Sequence, residues 1–188
     1  MPKINPQLSW LPLDARYRNE SNPRIRTLLK AVRDHMEFEI GGDMERLMDT
    51  LTAEPIYHFW GTAAPMVIAG RAAVEGFYRQ LIASGGNQFE VVVATIIADS
   101  ANVVTEGQVK QVYTGKELLA MGRTEVHGAP VKNADLFLTT SQLITVWPGD
   151  ADGKLVGEDI YFGHDPFKNI ETITRADLSE GYRWEHRV

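Results

Sequence analysis

Residues 41 to 80 constrain the fold more than any other stretch of this chain. Gly41-Gly42 breaks one helical pattern, and Asp43 supplies a capping carboxylate for the next, whose apolar positions Met44, Leu47, Met48 and Leu51 repeat at helical spacing. Pro55 then starts a short aromatic run, Ile56 to Trp60. After a short linker, Gly70-Arg71 opens a further helix with Val74, Phe77, Tyr78 and Leu81 on one face and Gly85-Gly86 behind it. Helix, strand and helix must therefore pack in close succession, around whatever the rest of the chain supplies.

The rest supplies one helix before and a sheet after. From Pro23 onward, Ile25, Leu28, Leu29, Val32, Met36 and Ile40 recur every three or four residues, the stripe of a helix facing a core. Between Gln88 and Phe162 the period changes. Runs rich in Val, Ile, Thr and aromatics predict strands near 88–98, 102–114, 135–147 and 155–163, with Asp99-Ser100 and residues 148–153 as turns. Three helices before consecutive antiparallel strands make an α+β layout, with helices covering one sheet face. Residues 115–134 fit neither a hairpin nor a clean strand, and read equally as a functional lid or as a surface insertion with a helical turn at Glu117 to Met121.

Prolines 2, 6, 12 and 23 argue against a long helix in residues 1–23, so this segment reads as an arm that packs through Trp10, Leu11, Leu13 and Tyr17. The expected organisation is the arm at 1–23, one domain at 24–168 and a polar tail at 169–188, fraying from Gly181. A chain of 188 residues with 44% apolar and 23% charged residues needs no staple, since a domain of this size buries about 70% of its unfolded surface. The formal net charge of -6 disfavours a nucleic-acid partner. Without cysteine there is no disulfide, thiolate nucleophile or thiolate metal ligand. No run is long and apolar enough for a signal peptide or a bilayer span, so a cytoplasmic protein that does not engage a membrane is expected.

The helix break at Gly41-Gly42-Asp43, Ala53-Glu54 before the strand, the Gly70-Arg71 opening and the Tyr161-Phe162 pair together resemble the nuclear transport factor 2-like (SnoaL-like) superfamily. This superfamily includes ketosteroid isomerase, limonene epoxide hydrolase, scytalone dehydratase and polyketide cyclases. The resemblance covers about residues 24 to 168. It implies a cone-shaped domain, three helices on a curved antiparallel sheet, enclosing a cavity for a small apolar molecule, with a homodimer formed through the outer sheet face.

Site residues follow from matching the motifs. His35 falls on the buried stripe of its helix, where the isomerase carries its oxyanion-holding tyrosine; the plain alternative is a satisfied core histidine. On the strand after Pro55, the match points Ile56, His58 and Trp60 inward. His58 then takes the place of the hydrolase's pocket tyrosine, and Trp60 that of the isomerase's base. A slip of one residue would turn Tyr57 and Phe59 inward instead. In the 135–147 strand the match points Thr140, Gln142, Ile144 and Val146 inward, with Thr140 where the isomerase has its second aspartate. In the 102–114 strand, the hydrolase's arginine and aspartate correspond to Gly107 and Val109, while Glu106 and Lys110 face away. In the last strand, Glu158, Ile160 and Phe162 face inward, and Asp159 and Tyr161 outward. Glu158 is the only acid expected at the cavity wall, where loss of water would raise its pKa.

Two readings follow. One is a dehydratase, isomerase or cyclase in which His58 moves a proton, Glu158 assists it and His35 holds the substrate oxygen, with Trp60, Tyr78 and Phe162 walling an apolar cyclic or polyketide-like ligand. The other is a non-catalytic binding or dimerisation module, favoured by the absence of the isomerase and hydrolase acids. His35, His58 and His164 lack metal-ligand spacing, and no nucleotide-binding or nucleophile-elbow motif is present, so no metal and no cofactor is expected.

Overall fold

The computed structural model describes residues 1–61 and 66–183. The arm holds no long helix but a short one, α1 (Leu11–Arg18), with Pro12 in its first turn, where a missing amide costs nothing. α2 (Pro23–Gly41) starts on Asn22, whose side chain accepts from the Arg24 and Ile25 amides, and stops at Gly42 in the left-handed region, φ 71°. α3 (Met44–Asp49) is capped by Asp43, which accepts from the Arg46 amide at 3.1 Å. It is shorter than its apolar spacing predicts, because Leu51 already begins β1 (Leu51–Trp60).

The expected linker then contains β2 (Met66–Ala69), paired antiparallel with β1, and its residues 62–65 lie outside the described residues. α4 (Arg71–Ala83) opens at Gly70 as predicted. β3 (Glu90–Ala98), β4 (Asn102–Thr114), β7 (Leu136–Pro148) and β8 (Leu155–Phe162) fall within two residues of the predicted strands. Residues 115–134 fold as α5 (Gly115–Ala120) and a small hairpin of β5 (Glu125–Val126) and β6 (Ala129–Pro130).

The other seven strands form one sheet in the order β2-β1-β8-β7-β4-β3, with β9 (Ile170–Ile173) added beside β7. Every pair is antiparallel except β1 with β8, which is parallel. This is the expected α+β class with the helices on one face. Trp10 and Leu13 of the arm join the core beneath α2 and α4.

The two ends are part of the same domain. Ile4, Val112, Leu138, Ile173 and Tyr182 pack together, and Ile4 bridges to Leu178. The tail is therefore built in up to Arg183, whose guanidinium donates to the Ile40 and Gly41 carbonyls at the end of α2. The expected fraying from Gly181 does not hold for Gly181 to Arg183, and the remainder lies outside the described residues. Among the described residues, no helix is long and apolar enough to cross a membrane.

Candidate active site

The concave side of the sheet, α2 and α4 enclose a cavity of about 770 Å³. Its walls are mainly apolar. Paired β4 and β7 form its floor, sending Thr105 and Thr145, then Val109 and Ser141, then Gln111 and Thr139 inward at successive rungs. α2 contributes Met36 and Glu39, and α4 contributes Phe77, Tyr78 and Leu81.

Polar groups gather at one end of this cavity. The Tyr78 hydroxyl lies 3.0 Å from Glu158 Oε1, 2.9 Å from the Tyr57 hydroxyl and 2.8 Å from His35 Nε2. His35 Nε2 is also 3.2 Å from Glu158 Oε1. On the other side of the ring, Nδ1 is 2.6 Å from Thr50 Oγ1, and Thr50 donates its own proton to the Leu47 carbonyl at 2.6 Å. Thr50 can then only accept, so Nδ1 carries a proton and Nε2 is the atom left to exchange one with Tyr78 and Glu158. Tyr78 and Trp147 hold the ring edge-on at 5.8 and 5.5 Å between centroids, and the Trp147 indole donates to Thr105 Oγ1 at 3.1 Å.

Burial sets the protonation of this cluster. The Glu39 carboxyl is pushed well above its usual range, first by desolvation and then by the Glu158 charge. Two carboxyls facing one cavity do not both ionise readily, and burial favours the protonated form of Glu39. The Tyr57 and Tyr78 hydroxyls are likewise raised well above their ordinary values, by burial first and the Glu158 charge second, so they remain donors. The wall thus carries the hydrogen-bonded Glu158 carboxyl, a Glu39 carboxyl that burial favours in its protonated form, and two protonated phenols side by side. Deeper along the floor, the Ser141 hydroxyl is buried without a hydrogen-bond partner.

No family model matches the sequence, and no curated protein does. The likeness is in three dimensions. A Jannaschia protein named as a SnoaL-like polyketide cyclase superposes with a TM-score of 0.55 over 77% of this chain and 91% of its own, at 17% identity. An LEH-like epoxide hydrolase from M. tuberculosis gives 0.55 over 78% and 91%, at 20% identity. SalBIII, described as an epoxide hydrolase/cyclase-like enzyme of pyran ring formation in salinomycin, gives 0.51 over 78% and 95%, at 13% identity. This chain has the SnoaL-like, nuclear transport factor 2-like fold.

Within the SnoaL-like cone the predicted residues divide into two groups. Glu158, Tyr78, Ile160 and Phe162 border the cavity as expected. His35 is fully buried beside them but does not border the cavity; its ring stands behind Tyr78 and Glu158. His58 and Trp60 are corrected to the outer face, where His58 Nδ1 meets Asp159 Oδ1 at 2.6 Å and its ring stacks on Trp60. Tyr57 and Phe59 take the inward places. Both faces of this strand are apolar, so alternation does not choose between them; Phe77 and Tyr78 of α4 do, packing on Phe59 and Tyr57 at 5.7 and 5.9 Å.

Thr140 and Gln142 are corrected in the same way, and Ile144 and Val146 with them. The residues of β7 that face the cavity are Thr139, Ser141, Leu143, Thr145 and Trp147, while Gln142 donates outward to Glu106. Burying Leu143 and Trp147 on the concave side determines this register. In β4 the expectation holds: Val109 lines the cavity, and Lys110 turns away to the Lys3 carbonyl and Glu90. The expectation that Glu158 is the only acid at the wall does not hold, because Glu39 stands there too, and Asp165 borders the mouth. Glu39 was readable: it lies four residues after His35 and three after Met36, a carboxylate on an apolar helical stripe. His35, His58 and His164 do not converge, and no cluster of three or more His, Asp or Glu placed for a metal occurs among the described residues.

Proposed function

We propose that this chain is an acid–base enzyme of the dehydratase, isomerase or cyclase kind, acting on a small, mainly apolar cyclic or polyketide-like molecule. What carries this reading is Glu158, hydrogen-bonded by Tyr78 and backed by His35, standing beside a protonated Glu39 on the wall of an apolar cavity. The names of the superposing proteins, a polyketide cyclase and epoxide hydrolases, support it at the level of fold.

Glu158 accepts a proton from a carbon next to a substrate carbonyl, and the C–H electron pair moves onto the carbonyl oxygen. Glu39 or a tyrosine hydroxyl hydrogen-bonds that oxygen as charge develops. The enolate then has three outcomes: Glu158 returns its proton to another carbon, a hydroxyl on the carbon β to the carbonyl leaves as water with the Glu39 proton, or the enolate closes a ring on a second carbonyl whose oxygen takes the proton from Glu158. His35 Nε2, 3.2 Å from Glu158 Oε1, orients the carboxyl from behind. The former role of His58 thus passes to Glu158, since His58 lies outside the cavity.

The test is deuterium uptake from D2O into a panel of cyclic ketones and β-keto compounds, followed by NMR. The wild type should accelerate exchange for at least one compound, and Glu158→Gln should lower that rate by about 10²- to 10⁴-fold. A non-catalytic binding module is the second reading, favoured by the mutual hydrogen bonding of Tyr57, Tyr78, His35 and Glu158, which closes the cluster without a ligand. Binding with no exchange in any compound would establish it and remove the first.

The homodimer is part of the proposal. The outer sheet face exposes Ile56, Trp60, Val67, Ile97, Ile144 and Tyr161, large apolar side chains that a partner copy would cover. Sedimentation should find two chains per particle, and Trp60→Glu should give one; a monomeric wild type removes this part.

A further inference from the structure

The cavity has a second polar end. Among its described lining residues, Arg123 is the only Lys, Arg or His. It comes from the 115–134 segment, and its backbone is fixed: Gly122 turns left-handed at φ 78° and the Arg123 amide donates to the Leu118 carbonyl at 2.9 Å, closing α5. Its guanidinium lies 4.0 Å over the Phe167 ring, and Phe167 packs on Tyr113 at 5.2 Å. Arg123 therefore sits at the Tyr113 end of the floor. Asp165, mostly exposed, approaches one of its nitrogens at 3.5 Å, which leaves most of its N–H donors free of a partner among the described residues.

Glu158 lies at the opposite end. β8 pairs Asp159 with Val146, which sets Glu158 beside Trp147, whereas Tyr113 pairs with Phe137. From Trp147 to Phe137 the floor runs along β7 for roughly 30 Å of strand, at about 3.3 Å per residue. Glu158 with Glu39 at one end and Arg123 with Asp165 at the other, joined by a floor of mixed hydroxyl and apolar side chains, suit a molecule whose anionic group lies at the Arg123 end.

We propose that Arg123 receives the carboxylate of an elongated, otherwise apolar acid, lying along the floor with its far end toward Glu158. A carboxylate is disfavoured beside the Glu158 carboxyl and favoured at the Arg123 guanidinium, so the ligand enters in one orientation. A planar guanidinium already stacked on an aromatic ring is well suited to a carboxylate fork. Asp165 beside it disfavours a doubly charged group. The segment left open as lid or insertion in the sequence thereby acquires a recognition role. This rests on the acid–base reading only for which end of the ligand reacts.

The test is calorimetric titration of the full chain with dodecanoate and with methyl dodecanoate, which share a chain and differ in charge. The acid should bind about 10-fold more tightly than the ester, which offers the guanidinium no charge to pair with. Arg123→Gln should bring that ratio to near one while leaving ester affinity unchanged, so the ester serves as the control for folding. Equal affinities in the wild type, or a variant that weakens acid and ester alike, would overturn the proposal. Its failure is separable from that of the acid–base reading: loss of the acid preference leaves deuterium exchange intact, and absence of exchange leaves the binding ratio intact.

Discussion

Glu158 and Asp159 are consecutive in β8 and face opposite sides of the sheet, and each meets a histidine. On the concave side Glu158 lies 3.2 Å from His35, with side chains 7% and 0% exposed. On the convex side Asp159 lies 2.6 Å from His58, each about one-third exposed, 34%. The tighter pair by distance is the one with less chemistry available to it. Water screens the outer pair, so its charges interact weakly and its protons exchange with solvent. The inner pair sits among Tyr57, Tyr78, Trp147 and a protonated Glu39, where every charge is felt by its neighbours and a proton has few places to go. Environment, not residue type, separates a candidate catalytic pair from a surface contact.

The largest expected effect tests that separation in rate. Glu158→Gln should lower catalysed deuterium exchange by about 10²- to 10⁴-fold, whereas Asp159→Asn should leave the rate per folded protomer unchanged. Equal losses in the two variants would erase the distinction between the faces.

Stability should divide in the same way by a smaller margin. His35→Ala removes a fully buried ring and leaves Thr50, Tyr78 and Glu158 each short of a partner, at a cost of about 2–4 kcal/mol in urea unfolding. His58→Ala removes a half-exposed ring and a screened ion pair, and should cost less than about 1 kcal/mol. A loss at His58 as large as that at His35 would show that the outer face is buried in the protein as it exists in solution, and would sharpen the dimer proposal.

The sequence carried the fold further than it carried the site, for a physical reason. Helix stripes, caps and turns are local: Asp43, Gly42 and Gly70 act on residues within a turn of themselves, and all three behave as expected. Which face of a strand turns inward is not local. In β1 both alternations are apolar, and α4, packed across the cavity, makes the choice. In β7 the choice was legible, because the odd positions Phe137, Leu143 and Trp147 hold the larger apolar groups; a family match one residue out of register concealed it. β8 came through correctly because its alternation separates Glu158, Ile160 and Phe162 from Asp159 and Tyr161 whichever way the ends are drawn. The arm and tail were underestimated because Ile4, Ile173 and Tyr182 are too widely spaced to look like a core before the chain brings them together.

The smallest effect concerns Glu39, which has no counterpart on the outer face. Burial and the Glu158 charge hold its proton on in the folded state at pH values where the unfolded chain, with an ordinary glutamate near pKa 4.3, has released it. Folding then takes up a proton across that window, so Glu39's contribution to stability is fully present below about pH 4.3 and is lost as pH rises toward its folded pKa. Glu39→Gln cannot titrate. Its stability relative to wild type should therefore climb steadily from about pH 4.5 upward, whatever constant offset the amide introduces. Urea midpoints of the two proteins, measured at intervals between pH 4.5 and 8, give that difference directly. A difference flat across the range would mean that Glu39 ionises normally in the fold, and the neutral acid beside Glu158 would be lost from the proposed mechanism, leaving the tyrosine hydroxyls as its only donors.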